Sequence, residues 1–155
     1  MIVIVDYGVG NLSSVANMLR KAGGEAHVSR DSAEVLRADK LLLPGVGHFD
    51  YGMKMLNDSG LRDAVDQFAL QLKRPVLGIC LGAQMLGKGS EEGDAPGLGW
   101  IDMECHRLPA QPGIRVPHMG WAEITKTRPS PLLDGATPDA RFYFVHSYRM
   151  QCADV

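Results

Sequence analysis

Apolar and polar positions along this chain switch repeatedly between two periods. Ile2 to Val5 is a continuous apolar run rich in β-branched residues, which fits a strand buried on both faces of a parallel sheet. Asp6-Tyr7-Gly8-Val9-Gly10-Asn11 follows as a turn, and Asn11 is placed to cap a helix through about Ala22. Val15, Met18, Leu19 and Ala22 share one face of that helix, and Gly23-Gly24 stops it. Glu25 to Ser29 reads as a second strand and Leu41 to Leu43 as a third, ended by Pro44-Gly45. Helical spacing runs from about Phe49 to Leu56 and from Leu61 to Leu72. Pro75 then leads into a fourth strand, Val76 to Ile79, with a further helix starting just after Cys80. Strand and helix alternating at this spacing predict an open, mostly parallel, doubly wound α/β sheet with helices on both faces.

The second half is less regular. Gly93 to Gly113 is rich in glycine and proline with short possible strands, and Val116 to Ile124 and Arg141 to Tyr148 read as extended. No internal repeat or second domain is visible, so the expectation is one domain over residues 1–155. Gln151 to Val155 stop without an obvious closing element. The chain has 155 residues, 45% of them hydrophobic, enough for a real core. A net charge of -2 without a Lys/Arg cluster argues against nucleic acid or an acidic membrane as partner. No apolar run is long enough to span a bilayer, and the N-terminus reads as a first strand rather than a signal peptide. Three scattered cysteines argue against a disulfide framework or a C-x-x-C metal site and point to a reducing cytoplasm. Neither a metal nor a cofactor is expected.

Candidate chemistry centres on GICLG, Gly78 to Gly82. Free cysteine is often only a small buried residue. Cys80, however, falls at the carboxyl end of a strand, where open α/β sheets gather ligands. Glycines two before and two after make G-x-C-x-G, the thiol form of the nucleophile elbow, whose strained turn pushes the side chain outward. A following helix would turn its N-terminal amides and positive dipole end toward the sulfur and favour thiolate. The Leu81 amide would then be an oxyanion donor. Pro44-Gly45-Val46-Gly47 ends a neighbouring strand, either as an ordinary strand-to-helix turn or as a second source of an oxyanion amide. Gln84 lies one helical turn after Cys80, facing the same cleft or a solvated helix face.

PGVGHF (44–49), GICLGAQML (78–86), GSEEG (89–93), PHMGW (117–121) and FYFVHSYR (142–149) occur in that order. Together they resemble the class I glutamine amidotransferases, and within them the glutaminase subunits of imidazole glycerol phosphate synthases, over nearly the whole chain. The resemblance implies that Cys80 attacks the side-chain amide of glutamine, releasing ammonia and leaving a glutamyl thioester for water. It implies oxyanion positions at Val46 and Leu81 and glutamine-holding positions at Gly47, Gln84 and Glu92. Ser147 and Tyr148 match a segment whose backbone lies along the substrate. The implied partner is a (β/α)8-barrel synthase subunit that receives the ammonia, docked on the edge carrying Asn11, Pro117, His118, Met119, Trp121 and Tyr143. Trp and Tyr suit an anchored interface, although a lone Trp is more often a core residue, and only the resemblance tips Trp121 toward the interface.

The resemblance also implies a histidine base with a glutamate two residues on, and no His-x-Glu occurs in this sequence. The expectation is a domain that stops before that element. His27, His48, His106, His118 and His146 remain, none with a carboxylate at a spacing that would orient it. Alternatives are a partner-binding homologue without chemistry, an ammonia donor to a sugar-modifying enzyme, and a thiol hydrolase or redox-sensing protein.

Overall fold

The structure, a computed structural model, describes residues 1–111, 113 and 115–154. It divides into two compact units, one of residues 1–106 with 150–155 and one of residues 107–149. In the first unit β1 (Ile2–Val5), β2 (Ala26–Ser29), β3 (Lys40–Gly45) and β4 (Val76–Cys80) form an all-parallel sheet in the order β2-β1-β3-β4. This is the parallel α/β architecture expected from the apolar runs.

One sheet face is closed by helices. Val3, Val5, Leu41 and Leu43 point into a core shared with Val35 of α2 (Ser32–Arg37), with α3 (Phe49–Asp58) and with α4 (Arg62–Asp66). Phe49, Met53, Leu56, Leu61 and Phe68 there are fully buried, each worth about 1.5–3 kcal/mol relative to exposure. The predicted second helical stretch is α4 continued by a π-helical turn, Gln67–Gln71. The opposite face carries Ile4 and Leu42. There α1 (Leu12–Lys21) sets Val15, Met18 and Leu19 along an apolar groove with Leu42, Leu77 and Ile79. Asn11 caps α1 as expected, accepting the Ser14 N–H at 3.2 Å.

Three expectations are corrected. α2 was not anticipated; it is short, buries only Val35, and starts on Asp31, which accepts the Ala33 N–H at 2.7 Å. β3 does not end before Pro44-Gly45 but runs through them, with Pro44 opposite Ile79 and Gly45 opposite Cys80. Proline is tolerated because β1 pairs with β3 only as far as Leu42, so at Pro44 the ladder has one side. Gln151 is not in an unstructured end. It belongs to β9 (Tyr148–Cys152), which joins β5 (Gly89–Ser90) and β6 (Met103–Arg107) in the order β5-β6-β9. Val155, also part of that expectation, lies outside the described residues.

In the second unit β7 (His118–Glu123) and β8 (Arg141–His146) pair antiparallel within the two stretches that read as extended. Met119 stands opposite Val145 and Trp121 opposite Tyr143. All four are exposed, while His118, Phe144 and His146 are half-buried. Among the described residues no helix is long and apolar enough to cross a membrane.

Candidate active site

Cys80 ends β4 at the carboxyl edge of the parallel sheet, and its backbone sits at φ 55°, ψ -119°. A non-glycine residue there stores about 1–3 kcal/mol and persists only when its surroundings over-determine it. Those surroundings are the flanking glycines. A Cβ on Gly82 would lie 1.8 Å from the Leu43 carbonyl oxygen, and one on Gly78 would lie 2.5 Å from Ala83 Cα. Both glycines of G-x-C-x-G are thus required by backbone packing against backbone, and the bend they allow leaves Cys80 exposed.

The helix that follows, α5 (Leu81–Gln84), is a single turn. This corrects the expectation of a helix dipole acting on the sulfur, since one turn sums too few peptide dipoles. What it does supply is first-turn N–H groups without intrahelical acceptors, the Leu81 amide among them. Leu81 anchors the turn by burying its side chain.

Beside Cys80, the end of β3 leads into an exposed turn. Val46 is exposed, and Gly47 adopts φ +104° with nothing near the position a Cβ would take. The turn is tied down on both sides. Upstream, buried Tyr7 donates its hydroxyl to the Pro44 carbonyl at 2.6 Å. Burial, with a smaller push from Cys80, raises the Tyr7 hydroxyl far above its ordinary value, so it stays a donor. Downstream, the Phe49 amide donates to Glu92 Oε2 at 2.9 Å. Asp50 accepts the Ala95 amide at 2.9 Å and the Asp94 amide at 3.1 Å. These two bonds, Ala95 first, hold its carboxyl below the usual carboxylate range.

Gln84 is half-buried, and its carbonyl receives the Cys105 thiol at 3.9 Å. Burial, with Glu92 adding, pushes the Cys105 thiol up to about 11, so it packs as a neutral thiol. Gly47, Leu81, Gln84, Glu92 and Cys80 therefore all belong to the first unit.

Residues 3–154 match the family description "Glutamine amidotransferase class-I". The chain belongs to the class I glutamine amidotransferases. This amidotransferase is 50% identical over 150 residues to imidazole glycerol phosphate synthase subunit HisH 2 of Pseudomonas aeruginosa, covering 97% of this chain and 74% of that protein. It is 44% identical over 155 residues to the HisH subunit of Bdellovibrio bacteriovorus, covering 98% of this chain and 76% of that protein. The solved structure of a putative GMP synthase component from Thermoplasma acidophilum has TM-score 0.68 at 20% identity, covering 99% of this chain and 68% of that one. A solved glutamine amidotransferase gives 0.61 at 22%, covering 79% and 64%. Both solved structures share the fold.

The remaining candidates of this amidotransferase lie in the second unit, Asn11 excepted. The Ser147 carbonyl accepts the Leu108 amide at 2.9 Å. The Tyr148 carbonyl meets His146 Nδ1 at 2.8 Å, and His146 Nε2 meets His118 Nδ1 at 3.0 Å. A carbonyl can only accept, so His146 donates from Nδ1. Pro117 is exposed, and Trp121 packs edge-on against Tyr143 at 5.6 Å. The other histidines are also engaged: His27 with Glu34 at 3.4 Å, His106 with Glu91 at 2.9 Å, and His48 as the N-cap of α3. Among the described residues, no cluster of His, Cys, Asp or Glu could hold a metal ion. Tyr7 and Asp50 escaped sequence reasoning. Asp50 carries a weak signal as an acidic residue in the first turn of a helix, whereas Tyr7 carries none.

Proposed function

We propose that this chain hydrolyses glutamine and passes the ammonia to a synthase subunit that makes imidazole glycerol phosphate in histidine biosynthesis. The observation that carries the reading is the positive-φ Cys80 at the sheet's carboxyl edge, opposite Gly45. The HisH names of relatives at 44–50% identity support the substrate and the pathway. The Cys80 thiolate attacks the side-chain carbonyl carbon of glutamine. The carbon–sulfur bond forms and the oxygen becomes an oxyanion, stabilised by the Val46 and Leu81 amides. Collapse breaks the carbon–nitrogen bond and ammonia leaves with an added proton. Water then adds to the thioester, giving glutamate and the free thiol. Gly47, Gln84 and Glu92 hold the glutamine.

A proton acceptor for Cys80 completes this chemistry. The partner is a (β/α)8-barrel subunit in a heterodimer. It meets Pro117, His118, Met119, Trp121 and Tyr143, whose exposed aromatic pair suits an anchoring site. A cytoplasmic setting fits a working free thiol. A second reading has the chain dock without chemistry. Glutamine turnover by the complex with external ammonia withheld separates the two. Turnover that Cys80→Ser abolishes supports hydrolysis, and an idle complex that still assembles leaves docking alone.

A further inference from the structure

The turn that carries Val46 and Gly47 is fastened to the segment that carries Glu92 by a two-part clasp. Glu92 Oε2 receives the Phe49 amide at 2.9 Å. In the reverse direction, both oxygens of Asp50 are used: Oδ1 receives the Ala95 amide at 2.9 Å and Oδ2 the Asp94 amide at 3.1 Å. Each segment thus contributes a carboxylate to the other's backbone. Charge-assisted bonds of this kind are about twice as strong as neutral ones. The fit around Asp50 is close. A Cβ on Gly93 would lie 2.0 Å from Asp50 Oδ1 and 2.3 Å from its Cγ, so the segment can wrap the carboxylate only with glycine there.

Glu92 has two carboxylate oxygens, and the Phe49 bond occupies Oε2. Its orientation is set by where the segment around residues 93–95 is held, and Asp50 holds it. We propose that Asp50 is a positioning residue for glutamine binding. It fixes the segment of residues 93–95 so that Glu92 keeps one oxygen on the Phe49 amide and offers the other to the ammonium group of the substrate. The assignment rests on the glutaminase reading above. It adds to it a link between the substrate-holding carboxylate and the turn carrying Val46 and Gly47: loosening Asp50 disturbs both.

The test is glutamine binding by calorimetry, on the chain as its native source makes it, with Cys80→Ser throughout to prevent turnover. Cys80→Ser alone binds glutamine, and adding Asp50→Asn weakens binding about tenfold, the scale of one lost charge-assisted bond. Asn keeps the shape but has one acceptor oxygen for two amides. Gly93→Ala tests the same clasp from the other side, leaving every polar group in place. It weakens binding where Asp50 is present and adds nothing further in an Asp50→Ala background, a coupling that a general loss of stability does not give. Affinity unchanged within about twofold in folded Asp50→Asn and Gly93→Ala proteins overturns the proposal. A folded Cys80→Ser protein that binds no glutamine overturns the glutaminase reading instead.

Discussion

Gly82→Ala adds one methyl group, and the structure says where it would go. The new Cβ would lie 1.8 Å from the Leu43 carbonyl oxygen, 2.7 Å from its carbonyl carbon and 3.2 Å from the Pro44 carbonyl carbon. All three are backbone atoms of β3, so no side chain can swing away. Either β3 moves off β4 or the elbow lifts, and both disrupt a ladder that runs from Leu41↔Val76 to Gly45↔Cys80. Overpacking costs typically about 1–3 kcal/mol, and the rigid neighbours place this case at the upper end, about 3 kcal/mol. For a chain of this size that lowers Tm by about 6–12 °C. Gly89→Ala makes the same chemical change where nothing lies within 4 Å of the new Cβ. It is expected to shift Tm by no more than about 2 °C. Thermal melts of both variants, followed by circular dichroism, supply the comparison. If Gly82→Ala melts with the wild type, the close-packed elbow is wrong, and with it the reason for the glycine two residues after Cys80.

Cys80→Gly should abolish glutamine hydrolysis yet raise stability by about 1 kcal/mol, because glycine adopts φ 55° without strain; denaturant titration checks this, and equal or lower stability contradicts it. Asp50 has its folded-state pKa depressed by the Ala95 and Asp94 amides. Its contribution is therefore present above the unfolded value, about 3.9, and is lost as pH falls through the folded one. Wild type should thus exceed Asp50→Asn in Tm at neutral pH, with the gap closing as pH falls below the unfolded value and through the depressed folded one, and a constant gap down to acid refutes the assignment. Trp121→Ala should leave Tm within about 2 °C, since the side chain is 62% exposed. It should weaken docking of the synthase partner by about 2 kcal/mol or more, read by titration, and unchanged affinity removes Trp121 from the interface.

The elbow was legible because its information is local. Gly78, Cys80 and Gly82 lie within five residues, after an apolar run that reads as a strand, and the observed φ of Cys80 agrees. The parallel sheet was legible for the same reason, since both-face burial writes continuous apolar runs at Ile2–Val5 and Leu41–Leu43. β3 through Pro44-Gly45 was not, because proline marks strand ends unless the neighbouring ladder has already stopped, and that depends on β1. Asp50 was opaque in the same way: its partners are 44 and 45 residues away, and the reason for Gly93 appears only when the two segments meet. α5 misled in the other direction, because nothing in LGAQML signals that the helix ends after one turn.

The glutaminase reading stands on Cys80 being a nucleophile in a glutamine site. A diazoketone analogue of glutamine tests this, because it alkylates a thiolate only where the site first binds glutamine. Cys152 is exposed and Cys105 buried, so the chain carries its own controls. Intact-mass and peptide mass spectrometry should find a single adduct on Cys80 that excess glutamine prevents. An unmodified Cys80, or labelling that falls equally on Cys152 and ignores glutamine, would overturn that role.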